Sequence, residues 1–310
     1  GALLLAACSG TPDDESSEGS SNGSTEPVTL TLWQNSTTGD GMQYWEDLAQ
    51  SCYDETGIEV EVVSIQNEDM DGKLQTALNS GDAPDVFMAR GGGKLADVVA
   101  AGPVMNLDGL LAQDTVDALG AGLSAFEIDG SVYGVPPAIL PEGFFYSKDL
   151  FADAGISATP TTLDELSDAV TALQDSGVDA IAVGAQDAWP AAHWYYNFAL
   201  RECSQDVMNE AALTRTFDDD CWLRAGEDLE AFAATEPFNQ GFLTTSAQQG
   251  AGSSAGLLAN HQAGMELMGA WNPGVIASLT PDEQPLPDLG WFAFPNIDTG
   301  SNEGEDGAIM

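Results

Sequence analysis

An α/β fold, with strands and helices in alternation, is predicted by three observations. Short runs of period two, such as Ile58-Glu59-Val60-Glu61-Val62, read as strands. Between them lie segments of helical spacing, such as Met42, Trp45, Leu48, Ala49 and Cys52. Turn and cap signals separate the two kinds, with 34 Gly and 15 Pro spread along the chain as short loops require. Helix-strand alternation of this length implies helical layers around mostly parallel sheets. The 310 residues suffice for one large domain or two lobes.

Each element has its own warrant. Val28 to Leu32 is a strand, and the helix containing Met42 to Cys52 stops at Gly57. Ile58 to Val62 is the next strand, and Lys73 to Leu78 a helix ending around Gly81. Pro84 to Met88 reads as a short buried strand, followed by a helix from Lys94 to Ala101. Asp129-Gly130 is a hairpin turn between Phe126-Glu127-Ile128 and Val132-Tyr133. Phe144 to Ser147 is a strand. Thr162 and Glu165 form a capping box that opens a helix to Ser176, closed by Gly177. Ala180 to Val183 is a strand, while Ala191 to Leu200 and Cys221 to Ala233 are helices. Gly264 to Met268 and Leu289 to Phe294 complete the strands.

Seven Lys and Arg stand against 50 Asp and Glu, a formal charge of −43. Phosphate contacts need clustered cations, so nucleic acid is excluded as a partner, as are polyanionic substrates. An anionic membrane surface is not held through a basic patch. The ligand expected of such a chain is neutral or cationic, and the excess carboxylate is a statement about solubility, in keeping with a saline habitat.

The N-terminus reads as an address. Leu3-Leu4-Leu5-Ala6-Ala7-Cys8 is an apolar run ending in small residues, as secretory signals do. Leu5-Ala6-Ala7-Cys8 resembles the bacterial lipoprotein box, which implies a diacylglycerol thioether on Cys8 and attachment to the membrane by that lipid alone. Ser9 to Pro27 carries no large apolar residue and reads as a flexible tether. Residues 1–8 are therefore taken as the signal remnant and 9–27 as the tether. Gly1 lies inside the apolar run and the chain stops at Ala308-Ile309-Met310, so it is read as a segment of a longer reading frame. In an oxidising compartment Cys203 and Cys221, flanking a polar loop, are expected to pair. Cys52 is left as a buried free thiol on a helix face. No CxxC occurs and there are two His, so neither a metal nor a cofactor is expected.

Several motifs imitate chemistry. Gly252-Ser253-Ser254-Ala255-Gly256 matches the GxSxG nucleophile elbow, but no convincing strand precedes it. Gly91-Gly92-Gly93-Lys94 lacks the leading Gly and the Ser or Thr of a P-loop. Asn67 to Gly72 starts like an EF-hand, yet the twelfth position is Leu78 where a bidentate Glu is required. Fifty carboxylates create glycosidase-like pairs by chance, so no acid pair is singled out.

Eight segments follow one another in a fixed order: Leu30-Thr31-Leu32-Trp33, Thr56-Gly57-Ile58-Glu59-Val60, Lys73 to Leu78, Gly81 to Phe87, Tyr133-Gly134-Val135-Pro136, Phe145 to Phe151, Pro160 to Leu166 and Gly264 to Trp271. Together they resemble the extracellular solute-binding proteins, family 1, of ABC importers. The resemblance implies a two-lobed, type II periplasmic-binding-protein-like fold with hinge strands and a central cleft. Lobe 1 would span 28–137 and lobe 2 138–300, with 301–310 starting a return to lobe 1 and part of that lobe beyond position 310. The implied function is capture of a neutral mono- or oligosaccharide by a monomer that delivers it to ABC transporter membrane subunits, with no chemistry on the sugar. A secreted hydrolase built on Ser254 or an acid pair, and a receptor for a cationic solute such as a polyamine, are the alternatives.

A sugar offers apolar C–H faces and hydroxyls that donate and accept, so its site needs flat aromatics beside amides and charged groups. Trp271 follows a predicted strand and precedes Asn272-Pro273-Gly274, the end of a strand where α/β proteins hold ligands. Trp189, His193 and Trp194 cluster at a helix start, placed equally well in a cleft wall or a core. Asn35 and Ser36 follow the first strand. Arg90 precedes three glycines that would let a ligand approach the backbone, its alternative being a salt bridge. Glu142 follows Pro136, Pro137 and Pro141, a hinge-like stretch, with a surface position as its alternative. Trp45 and Trp291 are assigned to core, and Trp222 to neither.

Overall fold

A computed structural model describes residues 28–297 apart from Pro103. The signal remnant, Cys8, the tether and the segment 301–310 lie outside the described residues. Two sheets organise the rest. The first has the order β2-β1-β3, and all its pairings are parallel. It comprises β1 (Thr29–Gln34), β2 (Glu59–Ser64) and β3 (Val86–Phe87). Between them run α1 (Gly39–Thr56) and α2 (Asn67–Ser80), which end at Gly57 and Gly81. α3 (Gly93–Ala101), α4 (Gln113–Leu119) and a short 3-10 helix (Gly120–Phe126) follow. The hairpin of β4 (Glu127–Ile128) and β5 (Ser131–Val132) turns through Asp129 (φ 52°) and Gly130 (φ 80°). Positive φ at both central residues is what the strand twist demands of a two-residue turn.

The second sheet has the order β7-β8-β6-β9. Its strands are β6 (Glu142–Ser147), β7 (Asp179–Ala182), β8 (Ala263–Gly269) and β9 (Leu289–Phe292). Only β7-β8 is parallel; β6 runs antiparallel to both β8 and β9. The expectation of mostly parallel sheets therefore holds for the first sheet and fails for the second. Strand direction depends on the route of the connections, which periodicity does not report. Around this sheet pack α5 (Lys148–Asp153), α6 (Leu163–Asp175), α7 (Trp189–Glu202), α8 (Gln205–Thr214), α9 (Asp220–Ala233), α10 (Ser254–Ala259) and α11 (Asn272–Leu279).

β8 is central, and all seven of its residues are buried. Its alternation separates two layers. Met265 and Leu267 face the main core with Phe144, Leu166, Leu173, Ile181 and Phe198. Met268 faces a smaller core under α10 and α11, with Ala255, Leu258 and Ile276. At roughly 1.5–3 kcal/mol per large apolar side chain buried, the main core is the chief stabiliser of this half. α6 opens with the capping bond from Glu165 N to Thr162 Oγ1 (3.2 Å). Glu165 reaches back to Thr161 N (2.8 Å), one residue earlier than the box predicts. A disulfide joins Cys203, which caps α7, to Cys221 at the start of α9, with Cα atoms 5.1 Å apart.

Several burial expectations are corrected. No residue of α1 is buried: Leu48 is 43% exposed, and Trp45 and Cys52 are half-buried. The apolar stripe is present, but among the described residues nothing covers it fully. β3 lies at a sheet edge and leaves Val86 exposed. Trp291, in the edge strand β9, is 46% exposed rather than in the core. Trp222 is half-buried against the main core.

Candidate functional site

The strand ends nearest the other half build the site. β1 ends at Gln34, which is fully buried and folds the following loop upon itself. Its Nε2 donates to Ser36 O (2.9 Å) and Ser64 Oγ (2.6 Å), and its Oε1 accepts from Ser36 N (2.5 Å). Asn35 is thereby presented beside α2, where its Nδ2 donates to Asn67 Oδ1 (3.0 Å). Arg90 Nη2 donates to the same Asn67 Oδ1 (2.5 Å), and Arg90 Nε lies 3.6 Å from Asp71 Oδ1. Lys94 also bonds Asp71. Burial opposes ionisation of the Asp71 carboxyl, but the Lys94 bond and the charges of Arg90 and Lys94 outweigh it and hold the group below its ordinary range. Arg90 thus sits in a polar network with Asn35, Asn67 and Asp71. Of the three glycines that follow it, Gly91 serves packing, since a Cβ there would meet Ala125 O at 2.8 Å, whereas Gly92 and Gly93 have open space beside their Cα atoms.

The opposing half contributes aromatics. The rings of Trp189 and Trp271 lie 6.3 Å apart, centroid to centroid. His193 sits 5.3 Å from Trp189 and 6.5 Å from Trp271. Tyr196 adds a ring 6.2 Å from His193. Trp189, His193 and Tyr196 recur along one face of α7, and Trp271 stands just before α11 at the end of β8. Trp271 is 38% exposed, so a ring face is open to a partner. Its seat requires Gly269: a Cβ there would lie 2.0 Å from the indole ring.

Glu142, the first residue of β6, faces this cluster with its side chain nearly covered. Its Oε1 accepts from Asn197 Nδ2 (3.0 Å). Its Oε2 lies 3.1 Å from His193 Nδ1, which makes no well-aligned hydrogen bond. The two halves meet through Glu68 of α2. Its Oε1 accepts from Trp189 Nε1 (3.2 Å), and its Oε2 from Gln249 Nε2 (3.4 Å). Arg215, at the end of α8, bridges to Asp97 of α3 (3.3 Å). Glu68, Tyr196 and Gln249 carried no signal of their own in the sequence, being ordinary residues on helix and loop surfaces.

Two expected site residues are corrected. Trp194 is 2% exposed, with its ring against Phe144, Phe232, Phe238 and Phe294. On a helix of 3.6 residues per turn, it points away from His193 into the core. Asn272 is fully buried at the start of α11 and donates through Nδ2 to Glu266 Oε2 (2.7 Å). Enclosed and committed to Glu266, its side chain is not presented to the interlobe region. Glu266 is itself buried in β8. Burial pushes its carboxyl up to about 7, against the downward pull of Ser254 and Asn272.

The decoy motifs resolve into helix starts. The element that leads to Ser254 is a short 3-10 helix (Phe242–Thr244) rather than a strand, and Ser253 Oγ accepts from Gly256 N (3.1 Å) as the N-cap of α10. Ser254 is fully buried and donates to Ala247 O (3.0 Å), so it forms no nucleophile elbow. Asn67 to Gly72 is the first turns of α2, not a cation loop.

An aromatic cluster on one half thus lies beside amides and carboxylates of the other, across a contact between two α/β units. Residues 35–310 match the family described as bacterial extracellular solute-binding protein, and the chain belongs to that family. A diacetylchitobiose-binding protein of Streptomyces coelicolor, DasA, is 25% identical over 97% of this chain and 68% of its own length. A solved structure from work on xylan utilisation by Caldanaerobius polysaccharolyticus superposes with a TM-score of 0.77, at 25% identity, over 88% of this chain and 69% of that one. A chitin oligosaccharide binding protein superposes with a TM-score of 0.71 at 24% identity, over 89% and 69% of the two chains. The fold is the two-lobed type II arrangement of these proteins.

Proposed function

We propose that the chain is the extracytoplasmic binding component of an ABC importer and captures a neutral sugar or oligosaccharide between its lobes. The observation that carries this is the Trp189–His193–Trp271 cluster, joined across the interface to Glu68. Aromatic faces bury the C–H face of a pyranose, while Asn35, Arg90, Glu68 and Glu142 offer donors and acceptors to its hydroxyls. In this reading Ser36, whose backbone is committed to Gln34, adds its hydroxyl to the polar side. Relatives named for diacetylchitobiose and chitin oligosaccharides make β-linked amino-sugar oligomers the first ligands to try. Hinge closure then brings the two lobes onto the ligand, and the closed form is what the membrane subunits read. The protein works as a monomer and alters no bond of its ligand.

Thermal-shift and calorimetric screening against a saccharide panel, with esters and spermidine as controls, tests the reading. Saturable binding of one sugar series without turnover supports it; turnover, or binding of spermidine and no sugar, overturns it. Attachment through a lipidated Cys8 is proposed from Leu5-Ala6-Ala7-Cys8 and is read by mass spectrometry of membrane-fractionated protein.

A further inference from the structure

The small core under α10 and α11 contains a polar cluster that the binding surface does not use. Glu266 faces this layer from the middle of β8. One hydrogen bond joins it to Asn272, from Nδ2 to Oε2, at 2.7 Å. Two acceptors remain: Glu266 Oε1 and Asn272 Oδ1 are both buried and without a partner. Ser254 stands in the same cluster and spends its only proton on Ala247 O, which leaves its oxygen free to accept. As a carboxylate, Glu266 would therefore bury a charge met by Asn272 and only weakly by Ser254, whose proton points to Ala247 O, an arrangement that buried charges avoid. A proton on Oε1 removes the conflict, because it supplies the missing donor to an oxygen-rich cluster.

The surroundings are apolar or neutral. Facing Glu266 are Phe145 of β6, Ala182 of β7, Ser254 of α10 and Asn272 of α11. None of them is charged, so among the described residues facing it none compensates a carboxylate. Asn272 is the residue after Trp271, and its side chain anchors the first turn of α11 to β8. We propose that Glu266 is a neutral carboxylic acid in the folded protein and acts as a positioning residue, holding Asn272 and through it the exposed ring of Trp271. The GxSxG sequence around Ser254 acquires a role here, as the hydroxyl partner of a buried acid rather than a nucleophile. The proposal rests on Trp271 being the ligand platform, yet its first consequence is visible without ligand.

Raising the pH ionises Glu266, unsettles the bond to Asn272 and changes the surroundings of Trp271. The burial-driven rise of this carboxyl to about 7 puts that change near neutrality. His193 and Glu142 also lie at the aromatic cluster, so fluorescence is titrated in the His193→Gln background, with Trp271→Phe subtracted. Infrared difference spectra of ligand-free protein, recorded well below and well above pH 7, should show a protonated carboxyl band that is absent from Glu266→Gln. The Trp271 emission should titrate with that band, and Glu266→Gln, which keeps the shape and supplies an N–H donor, should hold the low-pH emission throughout. If the band is missing at low pH, or if the emission still titrates in Glu266→Gln, the proposal falls. Should Glu266→Gln not fold, the 13C titration of the wild-type glutamate carboxyls carries the same readout: no buried carboxyl titrating near neutrality overturns it. Failure of every sugar to bind would leave these ligand-free signals intact and would count against the binding function alone.

Discussion

Trp271 and Trp194 show how much one side chain's neighbours decide. Both are tryptophans in aromatic clusters, yet one presents a face to the interlobe region and the other closes the core. Replacing Trp271 by Ala should weaken sugar binding tenfold to a hundredfold, since a stacked ring contributes on the order of 1–3 kcal/mol. Because Trp271 is 38% exposed, the melting temperature should fall far less than for Trp194→Ala. Removing the buried Trp194 leaves a cavity costing about 3–5 kcal/mol. Calorimetry and thermal melts on both variants check the contrast; equal thermal losses would return Trp271 to a structural role. Glu266 adds a linkage prediction. Its carboxyl is raised from 4.5 to about 7 on folding, so the unfolded state loses its proton first as pH rises. The contribution is fully present below about 4.5, declines through the interval and levels off above 7, a total on the order of 3 kcal/mol. Denaturant melts across this range should show the decline in wild type and its loss in Glu266→Gln.

At the scale of elements, the junction of β8 and α11 is the most constrained. A Cβ at Gly269 would collide with the Trp271 ring, which is held on its other flank by Trp189 and His193. Gly269→Ala should therefore shift Trp fluorescence and reduce ligand affinity while the secondary structure by circular dichroism stays unchanged. The α7–α9 pair has a different safeguard, the Cys203–Cys221 bond across a separation of 18 residues. On the loop-entropy argument its removal costs about 3 kcal/mol. Paired Cys203→Ala and Cys221→Ala substitution should lower stability by that order, and alkylation of native protein should label neither sulfur.

For the whole molecule, the proposed closure is set against charge. A chain of charge −43 brings two acidic lobes together, and few cations are available to bridge them. Arg215–Asp97 is one bridge; the neutral donors Trp189 and Gln249 on Glu68 are others. Repulsion between lobes is screened over about 8–10 Å at physiological salt. Salt should accordingly raise the melting temperature and favour closure, with the largest gain at low ionic strength. Glu68→Ala should open the ligand-free protein, seen as a larger radius of gyration in solution scattering. An unchanged radius would show that Glu68 does not hold the lobes.

Helix ends, the Asp129-Gly130 hairpin, the paired cysteines' neighbourhood and the strand-helix order were legible in the sequence because each depends on a few adjacent residues: a cap, a φ value, a period. The solute-binding family was legible for a related reason, since its segments keep their order along the chain. Burial was not legible. The stripe of Met42, Trp45 and Leu48 has a core pattern and no complete cover among the described residues, while Glu266, Asn272 and Ser254 are polar and fully enclosed. The proposed ligand wall was half legible: Trp189, His193 and Trp271 were singled out, but only packing separated them from Trp194, and only the approach of α2 brought Glu68 to the indole of Trp189. Local chemistry determines what each segment becomes. Which face of it meets water, ligand or another segment is set by contacts between residues far apart in the chain, and those exist only once the sheets have assembled.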